Sequence, residues 1–295
     1  MRLSIEQPRI EVGPHPGQNA RMAYVLHKIM VYALLILGSV LFILPFMWML
    51  TTALKPSNEV FAFPPQFFPT TFLWQNFVLG WTVLPFTQYL INTLIITTAA
   101  VIGNMISCAL PAYAFARLRA RGRGIFLILM LATMMIPSEI TLVPTFVLFS
   151  KAGLVNTFWP LILPAWFGYP FFIFMLRQFF MTIPKELDDA ARIEGASHLR
   201  VLWSIILPLS RPALAALAIF SFVGNRNNLL APLIYLRSSD KFTIVLGLNL
   251  FHGQYVTYYN QLMAVSILTL LPIIIIFFIA QKYFIRGVTL TGMNG

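Results

Sequence analysis

Charge is scarce in this chain. Of 295 residues only nine are acidic and 10% are charged in all, against 59% hydrophobic; a soluble domain typically carries about 25% charged residues. That deficit argues against a soluble globular protein and for an all-α, polytopic membrane protein. There is one cysteine, Cys108, so no intrachain disulfide can form. The four histidines (His15, His27, His198, His252) are scattered and none has H-E-x-x-H spacing, which argues against a zinc or hydrolase centre. No G-x-x-x-x-G-K-[ST] phosphate loop occurs, so the chain is not expected to bind ATP or any other cofactor itself. Internal repeats and low-complexity tracts are missing too. Met1–Lys28 is polar and the apolar run after it is too long for a signal-peptide core, so a cleavable leader is not expected.

Long uncharged stretches are what the chain has instead. A spanning helix needs about 20 mostly apolar residues, and six candidates satisfy this: Ile29–Leu54, Thr87–Ala116, Ile125–Phe149, Phe158–Leu176, Pro212–Leu236 and Gln261–Tyr283. The expected organisation is a tail over 1–28, a transmembrane domain over 29–284 with a polar loop at about 182–211, and a second tail over 285–295. Of the 20 basic residues, all but Lys55, Lys151, Arg226, Arg237 and Lys241 fall on one side of this scheme. The positive-inside rule then places both termini and the 182–211 loop in the cytoplasm of a cell (inner or plasma) membrane. The net charge of +11 is explained by those loops and by contact with lipid, not by nucleic acid. Outside, Lys55–Phe86 is rich in proline and aromatics, and Trp74, Phe77 and Trp81 suit a segment at the membrane interface.

The 182–211 loop holds four of the scarce acids, Glu186, Asp188, Asp189 and Glu194. Pro184 suits the first turn of a helix over Pro184–Ala196. The early acids then favour the positive end of the helix dipole, and Arg192 can pair with Asp188 at i+4 or Asp189 at i+3. Gly195 is the expected stop, with a positive φ. Leu187, Ala190, Ala191 and Glu194 share one face whose small alanines permit close approach by another surface. A solvated amphipathic helix is the bland alternative.

Asp189-Ala190-Ala191, then Gly195, Ile205 and Leu207-Pro208 resemble the EAA signature of ABC-importer permeases, with Asp189 standing where that signature has glutamate. Phe172–Phe180, Ile183–Leu187, Met135–Glu139 and Gln281–Gly287 are similar to segments of carbohydrate-uptake permeases of the maltose type, the subunit paired with a second, different permease. The likeness covers about residues 29–295. It implies six spans, a coupling helix docked in a cleft of a cytoplasmic ATPase, two such ATP-binding subunits carrying ATP and Mg, an extracytoplasmic solute-binding protein and a sugar-like solute. The coupling residues so implied are Glu186, Asp188, Asp189, Ala190, Ala191, Arg192, Glu194, Gly195, Ile205, Leu207 and Pro208.

Polar groups at membrane depth are costly and mark pathways or interhelical bonds. Glu139 lies about 21 Å into the third span at 1.5 Å per residue, just after Pro137. Asn225 and Asn228 share a face in the fifth span, beside Arg226, and Asn92 and Asn104 add amides to the second. Asn92, Glu139, Asn225, Arg226 and Asn228 are the candidate pathway residues; Glu139 and Arg226 are expected either to pair in the bundle interior or to stay apart, with Arg226 snorkelling to the outer interface. Asn92 and Asn104 also suit plain helix–helix bonding. Arg226 and Asn228 stand where the resembled permeases carry a tryptophan and an acid, and Ala231 replaces a frequent aromatic. That departure implies a different sugar, a glycerol-phosphate-like solute, or binding mainly by the partner permease. An ion-coupled secondary transporter, with Glu139 as its one deep acid, is the main rival. A membrane-bound enzyme is a second, and it lacks any catalytic constellation.

Overall fold

The computed structural model describes residues 18–251 and 258–291, so most of the N-terminal tail and the end of the C-terminal tail lie outside the described residues. Helices in chain order are α1 (Gln18–Ala53), α2 (Gln75–Val83), α3 (Phe86–Arg117), α4 (Arg123–Ala132), α5 (Ser138–Lys151), α6 (Trp159–Ile162), α7 (Pro170–Thr182), α8 (Glu186–Ile193), α9 (His198–Val201), α10 (Leu207–Leu209), α11 (Arg211–Arg226), α12 (Leu230–Tyr235), α13 (Ile244–Phe251) and α14 (Tyr259–Thr291). No strand occurs among the described residues.

Four stretches are long and apolar enough to cross a membrane unbroken: Tyr24–Ala53, Phe86–Arg117, Trp159–Thr182 and Tyr259–Ile279. The expected third and fifth spans are each interrupted. α4 and α5 meet at 96° across Ile136–Pro137. Ile136 is extended, at ψ 115°, as a residue preceding proline tends to be. The expected fifth span, Pro212–Leu236, stops at Arg226 and resumes as α12. A continuous helix would drive the Pro232 ring into the Asn228 carbonyl; instead the Asn228 side-chain oxygen accepts from the Ala231 N–H at 3.2 Å and caps α12. Arg211–Arg226 is itself bent 81° from the preceding His198–Leu209 stretch. With each bent pair taken as one span the count is six. At the C-terminal end α14 runs to Thr291, past the expected boundary at 284.

α3 is the axis of the bundle. Its buried face carries Cys108, Ala109, Ala112 and Tyr113 against Phe172, Leu176 and Phe180 of α7 and Leu217 of α11. Small residues allow the close approach: a Cβ on Gly103 would meet the Trp166 ring at 2.6 Å. α1 contributes little to this core, and its apolar side chains from Tyr24 to Phe46 are mostly exposed. Its end is held firmly. The Lys55 carbonyl accepts from both Asn76 and Asn260, each at 3.0 Å. The Lys55 ammonium, itself buried, donates to the Gln66 carbonyl at 2.5 Å and lies 4.7 Å from the Trp48 ring.

Candidate functional site

Two regions gather the polar chemistry. The first is a cavity of about 670 Å³ among the membrane-crossing helices, bounded by α3, α5, α6, α7, α11 and α12 and by the Leu163–Phe167 turn. Phe149, Tyr169, Phe171, Phe172, Phe220 and Tyr235 supply aromatic faces. Amides and hydroxyls come from Asn104, Thr141, Thr145, Ser221, Asn225 and Asn228, and no Asp, Glu, Lys or Arg lines the wall. The break after α11 exposes this chemistry, because Asn228 sits in irregular backbone that faces the cavity, where such backbone is tolerated. Asn225 donates to the Ser221 carbonyl at 2.8 Å. Asn104 is buried and donates to Ser221 Oγ at 2.9 Å, tying α3 to α11, while its Oδ1 has no partner. A buried amide oxygen without a partner costs about 1–3 kcal/mol.

Of the expected pathway residues, Asn225 and Asn228 line this wall and the other three do not. Asn92 donates to the Asp240 and Phe242 carbonyls at 2.8 and 3.0 Å and accepts from Gln88, so it pins the 239–242 turn to α3. Glu139 is an exposed residue in the first turn of α5. The partners of Arg226 lie on α14 and beside it in sequence. Its guanidinium donates to the Thr269 carbonyl at 2.7 Å and to Asn227 at 2.8 Å. Asn104 was legible as a buried amide but not as a cavity residue. The aromatic wall gave no distinct signal, since phenylalanines abound throughout this chain.

The second region surrounds α8. Lys185 precedes the helix, and Glu186, Asp188 and Asp189 occupy its first turn. Pro184 therefore lies just before the helix, not inside it. Asp188 turns inward. It meets Arg117, at the end of α3, at 3.2 Å, with side-chain exposures of 12% and 4%. Arg117 also donates to the Ile183 carbonyl at 2.7 Å. The expected local pairing with Arg192 is thus replaced by a tertiary one, because Asp188 lies on the buried face. Burial pushes the Asp188 carboxyl above its ordinary range, against the downward pull of Arg117. Ala191 is half-buried and packs on the core, as do Ile205 and Leu207, whereas Pro208 is exposed. Ala191 therefore faces away from solvent, and the exposed face consists of Glu186, Leu187, Asp189, Ala190, Arg192 and Glu194, with Ile193 88% exposed. Gly195 takes φ 85° with nothing near its missing Cβ. Leu202–Ile206 forms a π-helical turn that returns the chain to the bundle. Among the described residues no cluster of His, Cys, Asp and Glu is spaced to hold a metal ion.

A bundle of membrane-crossing helices with an uncharged cavity among them, and with an acid-bearing helix at one end, defines a transport subunit. Residues 106–290 match the family described as binding-protein-dependent transport system inner membrane component, and the chain belongs to that family. It is therefore a multi-pass inner-membrane permease component and not a catalytic subunit. Among similar proteins, the arabinooligosaccharides transport system permease protein AraQ of Halalkalibacterium halodurans is 37% identical, covering 86% of this chain and 91% of its own. The sn-glycerol-3-phosphate transport system permease protein UgpE of Yersinia pestis is 33% identical over 87% of this chain and 94% of its own. The diacetylchitobiose uptake system permease protein NgcG of Streptomyces coelicolor is 33% identical over 85% and 84%. A solved bacterial ABC transporter involved in the import of the acidic polysaccharide alginate has the same fold, with a TM-score of 0.75 and 21% identity over 92% of this chain and 99% of that one.

Proposed function

We propose that this permease carries a neutral oligosaccharide or polyol inward, as one of two different permease subunits driven by a pair of cytoplasmic ATPases and fed by an extracytoplasmic binding protein. The observation that carries the substrate class is the cavity wall, which has aromatic faces and amides but no charged side chain. Stacking surfaces and neutral hydrogen-bonding groups fit sugar rings and hydroxyls. A glycerol-phosphate-like solute would need a cation there, and Arg226, next in sequence to the wall residue Asn225, donates to Thr269. Among the relatives, the names that speak of arabinooligosaccharides and diacetylchitobiose agree with this reading better than the one that speaks of glycerol phosphate. The exposed acidic face of α8, held to the end of α3 through Asp188, supports a coupling role towards the ATPase, with the 184–208 loop and both termini on the cytoplasmic side.

The test is substrate-stimulated ATP hydrolysis by the assembled importer in proteoliposomes with its binding protein. Neutral oligosaccharides are expected to stimulate hydrolysis, and Asn228→Ala is expected to weaken the response. Stimulation by glycerol phosphate alone would overturn the substrate class.

A further inference from the structure

A second cavity of about 670 Å³ lies beside α8, separate from the one among the membrane-crossing helices. Arg117, Arg119, Lys185 and Arg192 converge on it, together with Tyr113 and His198. Two carboxylates, Asp188 and Asp189, also line it. Asp188 is matched to Arg117 at 3.2 Å, which leaves three cations facing the single carboxylate of Asp189. The Arg117 Nε and Nη1 and the Asp188 Oδ1 are all buried without a hydrogen-bond partner, so this pair closes the inner end of the cavity while the other cations face its opening. The adjoining turn Arg119–Gly124 forms a further concavity of about 520 Å³ that shares Arg119 and Ala120 and adds Arg121 and Arg123. The two hollows together present a run of cations at the end of α3, a helix long and apolar enough to cross a membrane. Guanidinium and ammonium groups converging in this way suit phosphate oxygens, and basic pockets between membrane helices take phosphate headgroups.

We propose that the cavity between the Arg117–Arg123 connection and α8 is a phosphate-binding site, filled by an anionic lipid headgroup or by free phosphate. Its position links it to transport: a phosphate group held there would brace α8 against α3 through Lys185, Arg192 and Arg119. The proposal does not depend on which sugar is carried.

The test uses the complete importer in nanodiscs, as wild type and as the double variant Arg119→Gln/Lys185→Gln. In one arm, nanodiscs of phosphatidylcholine alone are compared with nanodiscs containing cardiolipin, and lipid retained after detergent extraction is counted by native mass spectrometry. In the other arm, inorganic phosphate is titrated onto the phosphatidylcholine sample and the midpoint of thermal unfolding is followed. Cardiolipin retention that falls about tenfold in the variant, a loss of one strong contact, identifies a headgroup site. A phosphate-dependent rise in midpoint that the variant lacks identifies free phosphate. If neither arm distinguishes wild type from variant, the proposal fails. It also fails if the variant loses its ATPase subunits with lipid and phosphate without effect, since the cations would then be meeting acids of the motor.

Discussion

Arg117 and Asp188 form a buried pair at the inner edge of a charged pocket beside α8. Breaking a buried pair strands the remaining charge at about 3–5 kcal/mol; Asp188 keeps 12% of its side chain exposed, which puts Arg117→Gln near the low end, about 3 kcal/mol. The pH dependence has a definite sign. A carboxyl whose pKa is raised on folding binds its proton more tightly in the folded state, so its ionisation costs stability at neutral pH. That cost is relieved as pH falls through the raised folded value towards the ordinary carboxylate range. Arg117→Gln removes the opposing pull and enlarges the cost. The thermal midpoint of this variant in detergent is expected to fall well below wild type at pH 7.5 and to recover part of the gap near pH 5.5. A gap that stays constant with pH would show that Asp188 is not the group left stranded. Sequence spacing along α8 suggested Arg192 as the partner, because i,i+4 neighbours are visible in one dimension. The true partner lies on α3, and nothing local announces it.

Among the elements, the long apolar helices were legible from hydropathy, since a bilayer demands unbroken runs. The breaks were only half legible. Pro137 was visible as a disturbance, but not as a 96° corner. The stop at Arg226 depends on a cap made by the Asn228 side chain and on Pro232, a local contest that a hydropathy window averages away. For the same reason the cavity could not be foreseen as a unit, because its wall draws on six helices. Gly195 was legible, since a helix that ends in a glycine invites a left-handed residue. Its surroundings are open, so substitution there acts through backbone strain of about 1–2 kcal/mol and not through crowding. Gly195→Val is expected to reach the membrane at normal levels but to lower substrate-stimulated ATP hydrolysis by about tenfold. Gly195→Asn, which tolerates that conformation, should stay near wild type. Equal activity in the two variants would remove Gly195 from the coupling loop.

Across the whole molecule the polar clusters separate to two ends. Lys55, Asn76 and Asn260 are bonded together at one end, and Asn156 joins Lys241 and Ser238. Arg117, Ile183 and Asp188 meet at the other. In a Cys108→Ser background, cysteines placed at Ser57 or Ser239 are expected to react with an impermeant maleimide added outside intact cells. Cysteines at Arg121 or Ser197 are expected to react only after the membrane is opened, and the reverse pattern would invert the topology.

α3 has a mechanical consequence. One end is gripped by α8 through Arg117, and about 20 Å along it, at 1.5 Å per residue, Asn104 forms part of the cavity wall. A rod held in this way works as a lever. Tilting it by about 10° at the gripped end sweeps Asn104 through about 3.5 Å over that length, close to the width of one sugar hydroxyl. Pro111 interrupts the hydrogen-bond ladder between the two points. The lever therefore has a compliant joint, and how far a stroke at α8 opens the cavity depends on how stiff that joint is.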